Sequence, residues 1–165
     1  MRNIVLWAVL AVVLILANWS IVGKERVLAN GEMMLLDLAP VDPRSLMQGD
    51  YMTLRYALAQ RIMSQLDAPF SATGVAVVQL DENAVASLVR LDGTEALAPD
   101  ERLLQYRKRG ESLRIAGEAF FFQEGQDEIY ARARYGEVRV DASGEAVLVG
   151  LRDFEFNRMG PESED

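Results

Sequence analysis

The chain has 165 residues, half of them hydrophobic and a quarter charged, which is the composition of a folded domain and not of a disordered chain. Its formal net charge of −8 argues against nucleic acid as a partner, because an acidic surface repels phosphate. Cysteine and histidine are absent, which excludes disulfides, thiol nucleophiles, an acylated lipoprotein cysteine and the usual zinc and haem ligands. We therefore predict no cofactor and no metal site.

The first predicted element is a hydrophobic helix. Residues Ile4–Val22 form a run of 19 residues without a charge, which is just long enough to cross about 30 Å of hydrocarbon. Trp7 and Trp19 lie near its ends, where indole rings favour the headgroup region. We predict a transmembrane signal anchor over residues 1–22 and a helical connector over residues 23–31 that ends at the Asn30-Gly31 pair.

A cleaved signal peptide is the alternative interpretation of this segment. The sequence Leu16-Ala17-Asn18-Trp19 places bulky side chains where a signal peptidase requires small ones, so an uncleaved anchor is favoured. The positive charges on the two sides of the helix nearly balance, with Arg2 and the amino terminus on one side and Lys24 and Arg26 on the other. The short N-terminus then favours export of the long C-terminal part. The predicted location is the cytoplasmic (inner) membrane, single-pass, with membrane lipid around the helix and the C-terminal domain periplasmic.

Residues 32–157 are predicted to form one β-rich domain, followed by a disordered acidic tail over residues 158–165. Its first half alternates apolar and polar residues in short runs, and Met52, Leu54 and Tyr56 share one face of a half-buried strand. The predicted elements of this half are a strand at 32–38, a loop at 41–44, a strand at 51–56, a helix at 57–66, and a hairpin of strands 74–80 and 84–91 around residues 81–83.

The second half is predicted to begin with a solvated loop at Arg107-Lys108-Arg109. Gly117 is expected to mark a bulge in the strand that follows, and Gly136 to close a short helix in the left-handed conformation. The predicted elements are a strand at 113–122, a helix at 126–135, and a hairpin of strands 137–140 and 145–156 around residues 142–144. Together the elements indicate an α+β fold: a mostly antiparallel β domain with a partly closed or barrel-like sheet and two or three short helices, preceded by one N-terminal transmembrane helix.

One motif stands out at the start of the strand at 51–56. Residues 49–56 have the form G-D-Y-x-x-L-x-Y, carried by Gly49, Asp50, Tyr51, Leu54 and Tyr56. With a second block at residues 135–151, this resembles the GDYXXLXY family of bacterial membrane-anchored domains. The resemblance covers roughly residues 24–153, and it implies a multi-span membrane protein as a possible partner without implying any particular reaction.

The motif has a structural and a functional interpretation. In the first, Gly49 adopts a positive φ where a loop enters the strand, Asp50 accepts backbone hydrogen bonds, and Leu54 and Tyr56 fill the core. In the second, a shared loop rim binds a peptide or polar ligand. The residues of that rim are Asp42, Arg44, Asp50 and Tyr51.

The predicted function is a membrane-anchored extracytoplasmic accessory or binding domain, with no catalytic residue assigned. The alternative is a membrane-bound serine hydrolase related to signal peptidases, because Ser45 precedes a strand in a similar turn. That chemistry requires a lysine base on a later strand, whereas the strand at 84–91 carries Arg90, whose guanidinium does not deprotonate.

Overall fold

The computed structural model describes residues 2–39, 51–66, 72–91, 94–110 and 112–160, with the side chains of α1 described from Leu6 onward except at Ala8. Within these ranges the chain forms three helices and nine strands. The helices are α1 (Arg2–Asn30), α2 (Ala57–Gln65) and α3 (Asp127–Tyr130). The strands are β1 (Glu32–Asp37), β2 (Tyr51–Thr53), β3 (Thr73–Leu80), β4 (Ala86–Arg90), β5 (Glu101–Arg109), β6 (Ser112–Arg114), β7 (Ala119–Phe121), β8 (Tyr135–Val140) and β9 (Ala146–Arg152).

The strands pair in three antiparallel sheets with the orders β1-β8-β9, β2-β7 and β4-β3-β5-β6. The two larger sheets meet where the Leu35 amide donates to the carbonyl of Ala84 at 2.8 Å, within a parallel bridge from Leu35 to Val85. They meet again where the Gln105 amide donates to the carbonyl of Gly144 at 2.8 Å. This curved, partly closed wall confirms the predicted α+β fold with mostly antiparallel strands.

The core fills the concave side of this wall. Strand β5 alternates buried and exposed side chains because successive residues point to opposite faces. Strands β1, β3 and β8 each bury three consecutive residues, so both of their faces are covered in the middle of the strand. Helix α2 covers it with Leu58 and Ile62, which are four residues apart and so lie on one helix face. The largest side chains with almost no exposure are Met34, Leu35, Leu36, Ile62, Leu104, Leu151, Val77, Val78 and Val138.

Helix α1 runs without interruption from Arg2 to Asn30 and ends where the Asn30-Gly31 pair predicts. Its last turn belongs to the domain, because Val27 is only 2% exposed and its carbonyl accepts a hydrogen bond from the Gly31 amide at 2.8 Å. Its described large apolar side chains between Leu6 and Val22 are exposed. Taken over the residues that the structure describes, no helix is long and apolar enough to cross a membrane.

The principal correction to the sequence prediction is β5, which contains the supposed loop at Arg107-Lys108-Arg109. This strand pairs with both β3 and β6. Its inward residues Leu104 and Tyr106 are buried, while Gln105 and Arg107 between them are exposed. The charged residues therefore belong to the outer face of a central strand, and the predicted loop is wrong.

Smaller corrections concern the segment after β5. The strand predicted at 113–122 is two short strands, β6 and β7, with Gly117 between them. The helix predicted at 126–135 is a single turn, and Gly136 lies inside β8 instead of closing a helix. Gly136 is required there by close packing, since a Cβ would come within 2.9 Å of the Tyr56 ring.

The two predicted hairpins are confirmed as β3-β4 and β8-β9, although the last strand ends at Arg152 and not at residue 156. Beyond β9, the first residues of the predicted tail belong to the fold, because Arg158 bridges to Arg152 and the Met159 amide donates to the carbonyl of Leu151 at 2.8 Å. Residues 161–165 lie outside the described residues.

Candidate functional site

The residues predicted to form the ligand-binding rim fall mostly outside the described part of the chain. Asp42, Arg44 and Asp50 lie there, as do Gly49 and the alternative nucleophile Ser45. Tyr51 is described. It begins β2, is partly buried, and packs against the ring of Phe121 on β7, with ring centroids 5.7 Å apart. The proposed juxtaposition of Tyr51 with the other three rim residues remains a prediction.

The described motif residues Leu54 and Tyr56 lie in the core. Each is 3% exposed, which confirms the structural interpretation for these two positions. The Tyr56 hydroxyl donates a hydrogen bond of 2.7 Å to the carbonyl of Gly117. Burial, aided by the nearby negative charge of Glu118, raises the pKa of the Tyr56 phenol above its usual range. The phenol therefore stays protonated and holds the segment after β6 in place.

The outer side of the motif strand borders a groove of about 930 Å³, here named the motif groove. Residues 53–56 form one wall, one face of α2 forms the second, and the β5-β6 hairpin with the following segment forms the third. Its lining residues are Thr53, Leu54, Arg55, Tyr56, Ala59, Gln60, Met63, Ser64, Arg109, Ser112, Leu113, Arg114 and Glu118. The groove therefore has an apolar floor built from core residues and a polar rim.

Arginine dominates the rim of the motif groove. Arg55, Arg109 and Arg114 line it against one acid, Glu118, which pairs with Arg114 at 2.6 Å. The lining thus carries a balance of +2 on a chain whose net charge is −8. Guanidinium groups bind carboxylates and phosphates in bidentate geometry, so this groove is suited to an anionic group on a peptide or small molecule.

The hydroxyls of the motif groove show no arrangement for nucleophilic catalysis. Ser64 donates to the carbonyl of Arg61 at 2.8 Å, and Ser112 donates to the carbonyl of Arg109 at 3.0 Å. Activation of a serine requires a base within hydrogen-bond reach of the hydroxyl. Among the residues that the structure describes, neither serine has such a neighbour.

The elements of the serine hydrolase alternative are only partly placed. Arg90, on β4, binds Glu101 at 2.6 Å and so acts as an ion-pair partner. Lys108 lies on β5 and is partly buried. Within the described ranges, no cluster of three or more acidic side chains is arranged to hold a metal ion.

Sequence reasoning missed Arg109 and Arg114 as members of the groove. Both belong to the β5-β6 hairpin, where Arg109 pairs with Ser112 and Arg107 pairs with Arg114. The available signal was the alternation of Leu104 and Tyr106 with polar residues, which is typical of a half-buried strand. The charged residues Arg107, Lys108 and Arg109 that follow this alternation are typical of a loop, so the strand was not recognised from the sequence.

A family model described as GDYXXLXY protein matches residues 13–151, which is most of the chain. The chain belongs to the GDYXXLXY family. No curated protein and no solved structure shows a significant match. The match begins inside α1 and ends within β9, so the GDYXXLXY pattern includes the second half of the helix, both larger sheets and the motif groove.

Proposed function

We propose that this GDYXXLXY protein is a single-pass membrane-anchored accessory domain on the periplasmic side of the cytoplasmic membrane. Residues 4–22 cross the bilayer, and the β domain binds an anionic segment of a multi-span membrane protein in the motif groove. The observation that carries the proposal is the surface of α1.

The apolar side chains of α1 have no cover from the domain. The described large ones from Leu6 to Val22 are between 42% and 80% exposed. Exposing a Leu, Ile or Val side chain to water instead of burying it costs about 1.5–3 kcal/mol. Ten such residues together with Trp7 and Trp19 on one helix would be prohibitive in water, and a bilayer removes this cost.

The distribution of these side chains around α1 favours lipid over a single partner surface. Apolar residues occur on every side of the helix, as in Val12, Val13, Leu14, Ile15 and Leu16, which together span more than a full turn. A helix that is apolar all round must be enclosed all round. The run in the sequence begins at Ile4, ahead of the first described side chain, and reaches the length that a crossing needs.

The motif groove supports a binding role for the domain. Its arginine rim is basic on a chain of net negative charge, so the groove attracts an anionic group. A groove that borders a core strand is also held rigid, since Leu54 and Tyr56 beside Arg55 are buried. Rigid placement of charged groups lowers the entropy cost of binding.

Anchorage and topology can be tested together because the chain has no cysteine. A single Ser87→Cys substitution places a thiol at an exposed position of β4. We expect the full chain to remain in the membrane pellet after alkaline carbonate extraction. A membrane-impermeant maleimide should label the thiol in cells with a permeabilised outer membrane. Release into the supernatant, or labelling only after lysis, would contradict the proposal.

Partner binding can be tested by site-specific crosslinking in intact membranes. A photo-crosslinking residue at Arg55, on the groove rim, should capture a multi-span membrane protein, whereas the same residue at Asn83, an exposed turn position outside the groove, should not. The crosslinker itself replaces Arg55, so adding Arg109→Gln leaves Arg114 as the one remaining rim arginine and should reduce the yield. Equal capture from both positions would contradict a specific role for the groove.

A further inference from the structure

A second and larger groove begins at the point where α1 meets the domain. It has a volume of about 1050 Å³ and is here named the interfacial groove. It starts at Lys24, two residues beyond the apolar run, and follows β9 from Glu145 to Leu148. The start of β3, residues 105–107 of β5, the segment from Arg114 to Gly117, and Phe120-Phe121 form its other walls.

Contacts between α1 and the domain fix the height of this groove relative to the helix. Val27 is buried in the domain, and Lys24 forms an ion pair with Glu145 at the start of β9. The guanidinium of Arg139 donates to the carbonyl of Gly31 at 3.1 Å, which ties β8 to the end of the helix. The groove therefore opens directly above the last apolar turn of α1.

The dimensions of the interfacial groove match the headgroup layer. Strand β9 rises about 3.3 Å per residue, so the stretch from Glu145 to Leu148 extends roughly 10 Å from the level of Lys24. The polar layer on each side of a bilayer is about 5–8 Å thick, from the difference between the whole thickness and the hydrocarbon core. With residues 4–22 in the hydrocarbon, lipid headgroups lie against the lower half of the groove.

The interfacial groove is basic. Lys24, Arg107 and Arg114 line it against the single lining acid Glu145, a balance of +2, and the ion pair of Arg114 with Glu118 of the motif groove at 2.6 Å lowers this balance to +1. Arg107 is exposed, and it lies two residues along β5 from Gln105, whose amide contacts Gly144 at the membrane end. At a strand rise of about 3.3 Å per residue, Arg107 lies about 7 Å along the groove from Gly144, still within reach of a lipid phosphate in the polar layer.

Apolar groups line the same groove and suit an amphiphile better than a simple anion. The floor includes Val75, Ile115 and Leu148. Phe121 is 74% exposed at the rim and packs against Tyr51, so this ring adds apolar surface at the edge of the groove. A ligand with an anionic group and an adjoining apolar part fits both features.

We propose that the interfacial groove binds the headgroup of an anionic phospholipid from the outer leaflet of the membrane that holds α1. This rests on the membrane anchorage proposed above. The phosphate lies between Arg107 and Arg114, the glycerol lies beside Ile115 and Phe121, and the acyl chains leave the groove at its Lys24 end toward the hydrocarbon. Binding in this way holds this side of the domain at the lipid surface and orients the motif groove, which shares Arg114, along the membrane.

The test uses the full chain in lipid nanodiscs with a single Val147→Cys substitution in the groove, labelled with an environment-sensitive fluorophore. Discs contain phosphatidylcholine alone or with increasing fractions of phosphatidylglycerol. We expect a saturable fluorescence change with phosphatidylglycerol. The Arg107→Gln/Arg114→Gln double variant should raise the half-saturating fraction of phosphatidylglycerol about tenfold. The reason is that each basic residue near an anionic surface adds to the affinity, and this variant removes two of them.

The matched control is the Arg61→Gln/Arg132→Gln double variant. It removes the same charge from exposed positions that line neither groove. Its half-saturating fraction should equal that of the unmodified chain to within about twofold, the residual long-range effect of charge. If this control weakens the response as strongly as the groove variant, attraction is nonspecific and the proposal is wrong.

Other outcomes also decide the question. A response of equal size in phosphatidylcholine discs would overturn the proposal in favour of general lipid contact. A response produced in those discs by soluble glycerol 3-phosphate would overturn it in favour of a small-anion site. If the double variant fails to fold, Phe121→Ser takes its place, because this exposed ring is not required for the core, and it too should weaken the response. If the chain does not co-elute with the discs, the membrane anchorage itself is wrong. Co-elution is measured before any fluorescence, so failure of the anchorage is distinguished from failure of lipid binding in the groove.

Discussion

Three aspartates, Asp81, Asp141 and Asp153, each begin a five-residue connection of the same geometry. In each, one carboxylate oxygen accepts hydrogen bonds of 2.8–3.0 Å from the amides two and four residues later. The fourth residue of each connection has a positive φ, and these residues are Ala84, Gly144 and Phe156. Only one of the three is glycine, so the other two carry backbone strain.

Replacement of Ala84 by glycine should stabilise the protein. Ala84 has φ +61, a conformation that costs an L-residue about 1–2 kcal/mol, and glycine adopts it freely at an entropy cost of about 0.5–1 kcal/mol in the unfolded chain. We expect a net gain of up to about 1 kcal/mol, measured as a higher melting temperature of the full chain in detergent. The control Ala142→Gly, in a turn without positive φ, should lower the melting temperature.

Asp141 should make the stability depend on pH. Partial burial by itself raises the pKa of its carboxyl, but hydrogen bonds from the Ser143 hydroxyl and from neighbouring amides outweigh that effect, and the net pKa is lowered. Because the pKa is lower in the folded state than in the unfolded state, the ionised carboxylate stabilises the fold. This stabilisation is fully present when the pH is above the unfolded-state pKa, near 4, and it disappears as the pH falls through the folded-state pKa.

The expected result is that Asp141→Asn is less stable than the unmodified chain at pH 7, by about 1 kcal/mol as for a lost capping bond. The difference should shrink as the pH falls below about 4. Asp153→Asn should behave in the same way, since its turn has the same hydrogen bonds and its pKa is also lowered, with exposure to solvent reducing the effect. A difference that stays constant with pH would contradict this account.

At the scale of elements, local pairing was predictable and distant pairing was not. The hairpins β3-β4 and β8-β9 follow from apolar runs around an Asp-headed turn, so the residues that fix them are neighbours in sequence. Strand β5 becomes a strand because Thr73 pairs with Arg107 and Gly74 pairs with Tyr106. Those partners lie more than thirty residues away, and the charges of β5 on its own indicate a loop.

The same distinction applies to the candidate site. The burial of Leu54 and Tyr56 follows from strand alternation and was predictable from the motif. The arginine rim was not, because Arg55 and Arg114 come from segments brought together by the pairing of β2 with β7 and of β5 with β6. Residue type alone does not show which exposed arginines share a groove.

Gly136 shows why a glycine signal was misread, and it allows a test. A Cβ at this position would lie 2.9 Å from Tyr56 Cε1 and 3.5 Å from Leu148 Cδ1, so the glycine lets the motif tyrosine pack against β8. Gly136→Ala should destabilise the fold by about 1–3 kcal/mol through overpacking. In a Tyr56→Leu background the added cost should be smaller, because the ring is gone.

The measurement for this pair is a double-mutant cycle in urea, with Gly160→Ala as control because a Cβ there meets nothing within 4 Å. Positive coupling of about 1 kcal/mol between positions 56 and 136 is expected for residues in direct contact. Equal costs of Gly136→Ala in both backgrounds would show that backbone conformation, not the tyrosine ring, requires the glycine.

At the scale of the whole molecule, α1 and the β domain behave as one body because the helix ends inside the fold. The Lys24–Glu145 ion pair is about half exposed on both sides and contributes at most about 1 kcal/mol. Val27 is buried at 2% exposure, and burial of a valine contributes about 1.5–3 kcal/mol. The apolar contact therefore dominates the attachment.

This attachment predicts a narrow distance distribution between helix and domain. In a chain without native cysteines, spin labels at Val22→Cys on α1 and Ser87→Cys on β4 report that distance by pulsed electron resonance. Val27→Ser should broaden the distribution, because it removes most of the apolar contact and leaves the weak ion pair. Leu28→Ser, at the adjacent position that is 45% exposed, should leave it narrow. If both variants broaden the distribution equally, helix propensity controls the junction and the Val27 side chain does not. If neither variant broadens it, the hydrogen bonds of Gly31 with Val27 and Arg139 are sufficient to fix the domain relative to its helix.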